Sequence, residues 1–189
     1  MKKLYLIRHG RTEANEKSLY CGSTDVPISD AGRTELLELK KEIVYPVAPR
    51  MYTSGMLRAE QTYEILFGDT EHSILPKLRE MDFGEFEMKS YEELREDANY
   101  QKWIENDMKN RCPGGESGDD AAERVIAGLE EILSDAEDSL VVSHGGVIAI
   151  VMMYLFPEEN KNIYGWRADN GHGYTVCFEN GKPVSYEVI

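Results

Sequence analysis

Two short apolar runs, Leu4-Tyr5-Leu6-Ile7 and Leu140-Val141-Val142, lead into the same punctuation: Arg8-His9-Gly10 near the start of the chain and Ser143-His144-Gly145-Gly146 in its last third. A continuous apolar run this short reads as a strand buried on both faces, as in a parallel sheet covered by helices on either side. If the two strands share one such sheet, both histidines emerge at its carboxyl edge, where the crevices of open α/β sheets form.

The rest of the chain supplies the helices. Thr12 is placed to cap a short helix through Asn15 and Glu16, and Cys21 to Ser29 is a loop by its turn residues. Leu36, Leu39 and Ile43 recur at helical spacing after a cap at Ser29 or Asp30, and Pro46 and Pro49 end that helix. Arg50 to Tyr52 is a second strand; Ser54-Gly55 opens a helix that Gly68 stops, and a third strand is expected near Ser73 to Leu75. Pro76 to Met88 reads as irregular and acidic. Ser90 and Glu93 form a capping box, so a helix is expected from there to about Asp107. Val125, Ile126, Leu129, Ile132 and Leu133 give the strongest helical pattern, followed by the strand Ser139 to Ser143, a helix to Tyr154, and a hairpin of Tyr174–Phe178 and Val184–Val188 around Asn180-Gly181. The expectation is a three-layer α/β/α sandwich with a mainly parallel central sheet and one domain over residues 1–189.

Composition narrows the function. The chain of 189 residues carries a net charge of −14, which argues against nucleic acid or an anionic membrane surface as partner. No apolar run approaches the roughly 20 residues of a membrane span, and Leu4 to Ile7 is shorter than the roughly 7–15 apolar residues of a signal peptide, so a cytoplasmic location is expected. The three cysteines, Cys21, Cys112 and Cys177, are odd in number and widely spaced, which suits free thiols in a reduced compartment.

A single histidine is more often structural than catalytic, but two of only four histidines at matched strand ends raise the expectation of a site. His72, beside Glu71, reads as a solvated loop residue, and His172 lacks such a setting. Arg8 adjoins His9, and Arg58 lies one turn into the helix after the second strand. Two guanidiniums, two histidines and the free N–H groups of helix starts would make a cationic pocket suited to a dianionic phosphate.

These residues resemble the histidine phosphatase superfamily, which includes the cofactor-dependent phosphoglycerate mutases. The resemblance runs through Arg8-His9-Gly10-Arg11-Thr12 with Asn15, Gly22 and Asp25, Ser54 with Arg58 and Thr62, Leu78 to Glu87, Gly115-Glu116-Ser117, and Ser143-His144-Gly145. It implies a phosphoglycerate mutase-like fold and a nucleophile, His9, that forms a phosphohistidine. Arg8, Arg58 and His144 would hold the phosphoryl oxygens, with Asn15, Cys21, Gly22 and the Gly145 N–H as further substrate contacts. A carboxyl group must protonate the leaving alkoxide and later take a proton from water. The resemblance assigns that role to Glu80, with Asp82, Glu85 and Glu87 as competing acids. No cofactor and no metal are implied, and no H-E-x-x-H spacing is present.

Within the family the length and the Glu80 region favour hydrolysis over mutase chemistry. The runs Glu80 to Met88, Glu96-Asp97-Ala98 with Tyr100 and Trp103, and Trp166-Arg167 with Asp169 and Gly171 are similar to bacterial alpha-ribazole phosphatases of cobalamin assembly. The acid loop departs from a common pattern in carrying Met88 where a glycine often follows the last glutamate. The expected partner is a small phosphorylated metabolite, alpha-ribazole 5'-phosphate foremost; a homodimer is left open. The alternatives are a phosphoglycerate mutase, a phosphatase of broad specificity, or a phosphate-binding module without turnover.

Overall fold

The computed structural model describes residues 1–106 and 109–189. Its frame is a six-stranded sheet in the order β3-β2-β4-β1-β5-β6. The strands are β1 (Lys2–Arg8), β2 (Arg50–Thr53), β3 (Ser73–Ile74), β4 (Ser139–Ser143), β5 (Gly173–Glu179) and β6 (Lys182–Val188). The first four pair in parallel, and the hairpin β5–β6 adds antiparallel strands beside β1. Strand β4 sits between β2 and β1, and its residues Ser139 to Ser143 are all buried.

The period-2 alternation of strands divides the core. Leu4, Leu6 and Val141 face α6 (Gly118–Leu133) and α7 (Gly145–Leu155), where Val125, Leu129, Ile132 and Ile148 are buried. Ile7, Leu140 and Val142 face α2 (Asp30–Glu42) and α3 (Leu57–Phe67), against Leu36, Ala59, Tyr63 and Leu66. Each such side chain contributes about 1.5–3 kcal/mol by burial, so both faces of the central strands are anchored. The expected three-layer sandwich is the observed fold.

A third apolar cluster, with Phe86, Leu94, Tyr100 and Trp103, lies beneath the acidic segment. Here one expectation fails. In place of a continuous helix from residue 90 there are α4 (Tyr91–Leu94) and α5 (Ala98–Glu105), because the Asp97 carboxylate accepts the N–H groups of Asn99 and Tyr100 and starts a new helix. The expected end near Asp107 lies outside the described residues. Likewise α3 begins at Leu57, two residues past Gly55, and its first N–H is received by Asp25 from another loop at 2.8 Å. Among the described residues no helix is long and apolar enough to cross a membrane.

Candidate active site

The parallel register pairs Arg8 of β1 with Ser143 of β4, so the next residue on each strand is a histidine. The rings of His9 and His144 lie 5.2 Å apart, centroid to centroid. Convergence of the two strand ends, inferred from sequence, is what the sheet produces.

Each side chain at this edge is oriented by bonds to the protein. Arg8 Nη1 donates to the Ala168 carbonyl at 2.8 Å; Arg58 donates from Nη1 to the Thr24 carbonyl at 3.0 Å and from Nη2 to the Gly22 carbonyl at 2.8 Å. His144 Nε2 meets Ser54 Oγ at 2.8 Å, and that oxygen already accepts the Met56 N–H. With the hydroxyl proton donated to His144 Nε2, the ring carries its own proton on Nδ1 and can offer it to a ligand. At this edge Arg8 Nε, Arg58 Nε and His144 Nδ1 are buried and have no hydrogen-bond partner among the described residues, as is also true of the Nε1 atoms of Trp103 and Trp166 elsewhere in the core. Three buried donors without acceptors are costly unless an oxygen-rich ligand fills the space between them.

His9 is turned the other way. Its Nδ1 lies 2.7 Å from the Gly10 carbonyl, which fixes the proton there and leaves the Nε2 lone pair free. Burial, together with the charges of Arg58 and Arg8, holds the His9 ring well below the ordinary histidine range. His144 is lowered in the same way, by burial first and then by Arg58. Arg8 is pushed down to about 10, by burial and then by the neighbouring Arg167, and so stays cationic at neutral pH.

Glu80 completes the edge. Its Oε2 accepts the Gly146 N–H in the first turn of α7 at 3.0 Å, and a Cβ on residue 146 would fall 2.4 Å from Oε1, so any other residue there would push the carboxylate aside. The segment before it is tied to β4 by Ser143 Oγ, which donates to the Leu78 carbonyl. Arg124 braces it from α6, donating to the carbonyls of Lys77 and Arg79 while paired with Glu116. The competing acids are elsewhere. Glu87 receives the N–H groups of Gly22, Ser23, Thr24 and Phe83 and so pins the Cys21–Thr24 loop to the acidic segment. Asp82 bonds Ser23 Oγ and the Gly84 N–H, and Glu85 is exposed.

The remaining expected contacts are distributed unevenly. Gly145 opens α7, where its N–H has no intrahelical acceptor. Gly22 commits its N–H to Glu87 and its carbonyl to Arg58. Cys21 is half-buried beside it, its thiol raised by burial. Asn15 closes the capping box of α1 (Glu13–Glu16) and meets Asn170 at 3.4 Å. His72 is not a solvated residue: its ring stacks on Tyr63 and its Nε2 lies 2.9 Å from Glu60 Oε2, on the far side of α3.

Two groups of positioning residues were given no role by the sequence. Thr62 accepts the Gly10 N–H and donates to the Arg58 carbonyl, linking the two halves of the site. Residues 168–171 wrap the Arg8–Gly10 loop: besides Ala168, the Asn170 amide donates to the His9 carbonyl at 2.8 Å and the Gly171 N–H to the Arg8 carbonyl. Their signal was the motif from Trp166 to Gly171, quoted above without a role.

Comparison with known proteins agrees with this geometry. The family model of the histidine phosphatase superfamily (branch 1) matches residues 4–188. The adenosylcobalamin/alpha-ribazole phosphatase of Salmonella typhimurium is 32% identical over 177 residues, 89% of this chain and 87% of that one. The alpha-ribazole phosphatase structure from Shigella flexneri superposes with a TM-score of 0.81 at 30% identity, covering 96% of this chain and 93% of the other. A phosphoglycerate mutase from Thermus thermophilus superposes with a TM-score of 0.75 at 28% identity, covering 97% of both. With the paired histidines, the inward-facing arginines and a match along nearly its whole length, the chain belongs to the histidine phosphatase superfamily and is a phosphatase of that type.

Proposed function

We propose that the protein hydrolyses a small phosphate monoester through a phosphohistidine at His9, and that alpha-ribazole 5'-phosphate is its substrate. The observation that carries the mechanism is the division of labour in hydrogen bonding: His9 directs its N–H out to Gly10 and keeps a lone pair, whereas Arg8, Arg58 and His144 direct donors inward. The three donors suit the equatorial oxygens of a phosphoryl group, over which charge spreads during transfer. Nε2 of His9 attacks phosphorus and the ester P–O bond breaks, the departing oxygen taking a proton from Glu80. Water then attacks the phosphohistidine, Glu80 takes its proton, the N–P bond breaks, and phosphate leaves neutral His9 behind.

The substrate reading is supported by the two relatives named as alpha-ribazole phosphatases, one similar in sequence and one in structure. It makes the partner a phosphorylated metabolite of the cytoplasm. The Thermus neighbour favours a second reading, phosphoglycerate mutase. One screen separates them: alpha-ribazole 5'-phosphate, 3-phosphoglycerate, phosphoserine and p-nitrophenyl phosphate, with EDTA present. Phosphate release fastest from alpha-ribazole 5'-phosphate supports the proposal, and accumulation of 2-phosphoglycerate without release overturns it in favour of the mutase. Near wild-type hydrolysis by His9→Ala would show that no phosphohistidine forms there.

A further inference from the structure

The donors that face the phosphoryl position all come from the buried floor and walls of the site, and its solvent side remains. The segment after buried Trp166 runs beside Arg8 and His9. Arg167 is exposed, while Trp166 and Ala168 on either side of it are buried and the Ala168 carbonyl holds Arg8. A single point fixes where its side chain runs. The Cβ that Gly145 lacks would lie 3.2 Å from Arg8 Nε and 3.4 Å from Arg167 Cγ, so two arginine side chains flank the start of α7. Glu80 bonds the next residue of that helix, yet neither Glu80 nor any other carboxylate among the described residues lies within 4.0 Å of the Arg167 guanidinium.

Two guanidiniums brought together beside a helix N-terminus repel each other, and Arg167 is the largest charge contribution to the lowering of Arg8. Glu80 and Asp169 offset part of this repulsion at Arg8, but neither forms an ion pair with the Arg167 guanidinium. The arrangement is balanced when a dianion sits between the two arginines and the inward donors. We infer that Arg167 is a third phosphoryl-binding arginine, which closes over the oxygen left on the solvent side once substrate occupies the site. It rests on the reading of the site as a phosphate-monoester pocket. Because the group it binds is common to all substrates, its effect is independent of the leaving group.

The test compares Arg167→Met, which keeps a long stem without charge, with Arg167→Lys. Inorganic phosphate affinity is measured by calorimetry, and kcat/KM with p-nitrophenyl phosphate, alpha-ribazole 5'-phosphate and 3-phosphoglycerate. For Arg167→Met the expected result is a loss of about 10- to 100-fold in phosphate affinity and in kcat/KM, by a similar factor for every ester hydrolysed, with Arg167→Lys recovering most of it. The protonation midpoint of His9, followed by NMR, should rise in Arg167→Met, a readout that loss of packing alone would not move, because Arg167 is one of the cations repelling that ring. Unchanged phosphate affinity overturns the inference. A loss confined to one substrate does so too, assigning Arg167 to the leaving group. A wild-type protein that neither binds phosphate nor hydrolyses any ester overturns the pocket reading instead.

Discussion

Acidification should unfold this protein chiefly through its own active site. His9 and His144 are 5% and 0% exposed, and both are held well below the ordinary histidine range, by burial first and by Arg58 next. In the unfolded chain each takes up a proton near pH 6.5, about the ordinary value for histidine. Below that pH the unfolded state binds two protons that the folded state excludes, so stability is complete above about pH 7 and falls as pH drops through 6.5 toward the depressed folded values. Each excluded proton is worth about 1.4 kcal/mol per pH unit, and the pair therefore about 2.7 kcal/mol per unit. The full slope is reached below about pH 5.5; between about pH 7.5 and 5.5 the pair is worth about 2.7 kcal/mol in all, which an unfolding entropy of about 0.4 kcal/mol/K converts to a fall in Tm of about 7 °C. The measurement is scanning calorimetry in phosphate-free buffer between about pH 7.5 and 5.5, comparing wild type with His9→Asn and His144→Asn. Each substitution should remove about half of the slope, while surface carboxylates titrate alike in all three proteins and cancel in the difference. A slope that persists unchanged in both variants would mean that the folded rings accept protons freely, and the desolvation argument would be wrong.

Glu80→Gln should lose about 10²–10⁴-fold on alkyl phosphates and far less on p-nitrophenyl phosphate, whose leaving group needs little proton donation; equal losses would assign the acid role elsewhere. Ser54→Ala removes the hydroxyl bonded to His144 Nε2, and kcat/KM should fall by about 10- to 100-fold while Tm drops by a few degrees, from about 1–3 kcal/mol for the buried partners left unpaired. An unaltered rate would show that His144 orients itself without Ser54. Met88 has φ +59°, the left-handed region that glycine occupies without a Cβ penalty. Relief of that strain, about 1–2 kcal/mol, exceeds the backbone entropy a glycine adds to the unfolded chain, about 0.5–1 kcal/mol, so Met88→Gly should stabilise modestly in urea titrations. A loss of stability would contradict the strain assignment.

Local pattern carried the strands, the caps and the pairing of the two histidines, because strand periodicity and side-chain capping are properties of a few adjacent residues. Arg8, His9 and His144 could be placed at one edge from the sequence because they follow apolar runs directly. Contacts made through backbone carbonyls left no such trace: Ala168 holds Arg8, and His9 is held by Asn170, across about 160 residues of sequence. The acids illustrate the same limit. Glu80 and Glu87 occur in one acidic run, and only the fold shows that Glu87 is encircled by N–H donors while Glu80 meets the first turn of α7. His72 looked solvated because its partners, Glu60 and Tyr63, lie on a helix that precedes it. The break at Asp97 was missed, because a capping aspartate inside a segment opened by its own capping box reads as one more charge on a continuing helix.

The position of β4 between β2 and β1 gives catalysis a relation to the order of folding. The strand that carries His144 is the last parallel strand in the chain, and it must enter the middle of the sheet, since β1 and β2 make no ladder of their own. Until it does, no strand ladder fixes the Arg8-His9 end of β1 against the Ser54–Arg58 segment beyond β2, and side-chain bonds such as Thr62 to Gly10 must bridge them unaided. Pairing of this kind closes long loops and is therefore among the slower events of folding. Recovery of phosphatase activity during refolding should consequently trail helix formation and coincide with protection of the β4 amides from hydrogen exchange, making turnover a direct clock for completion of the central sheet.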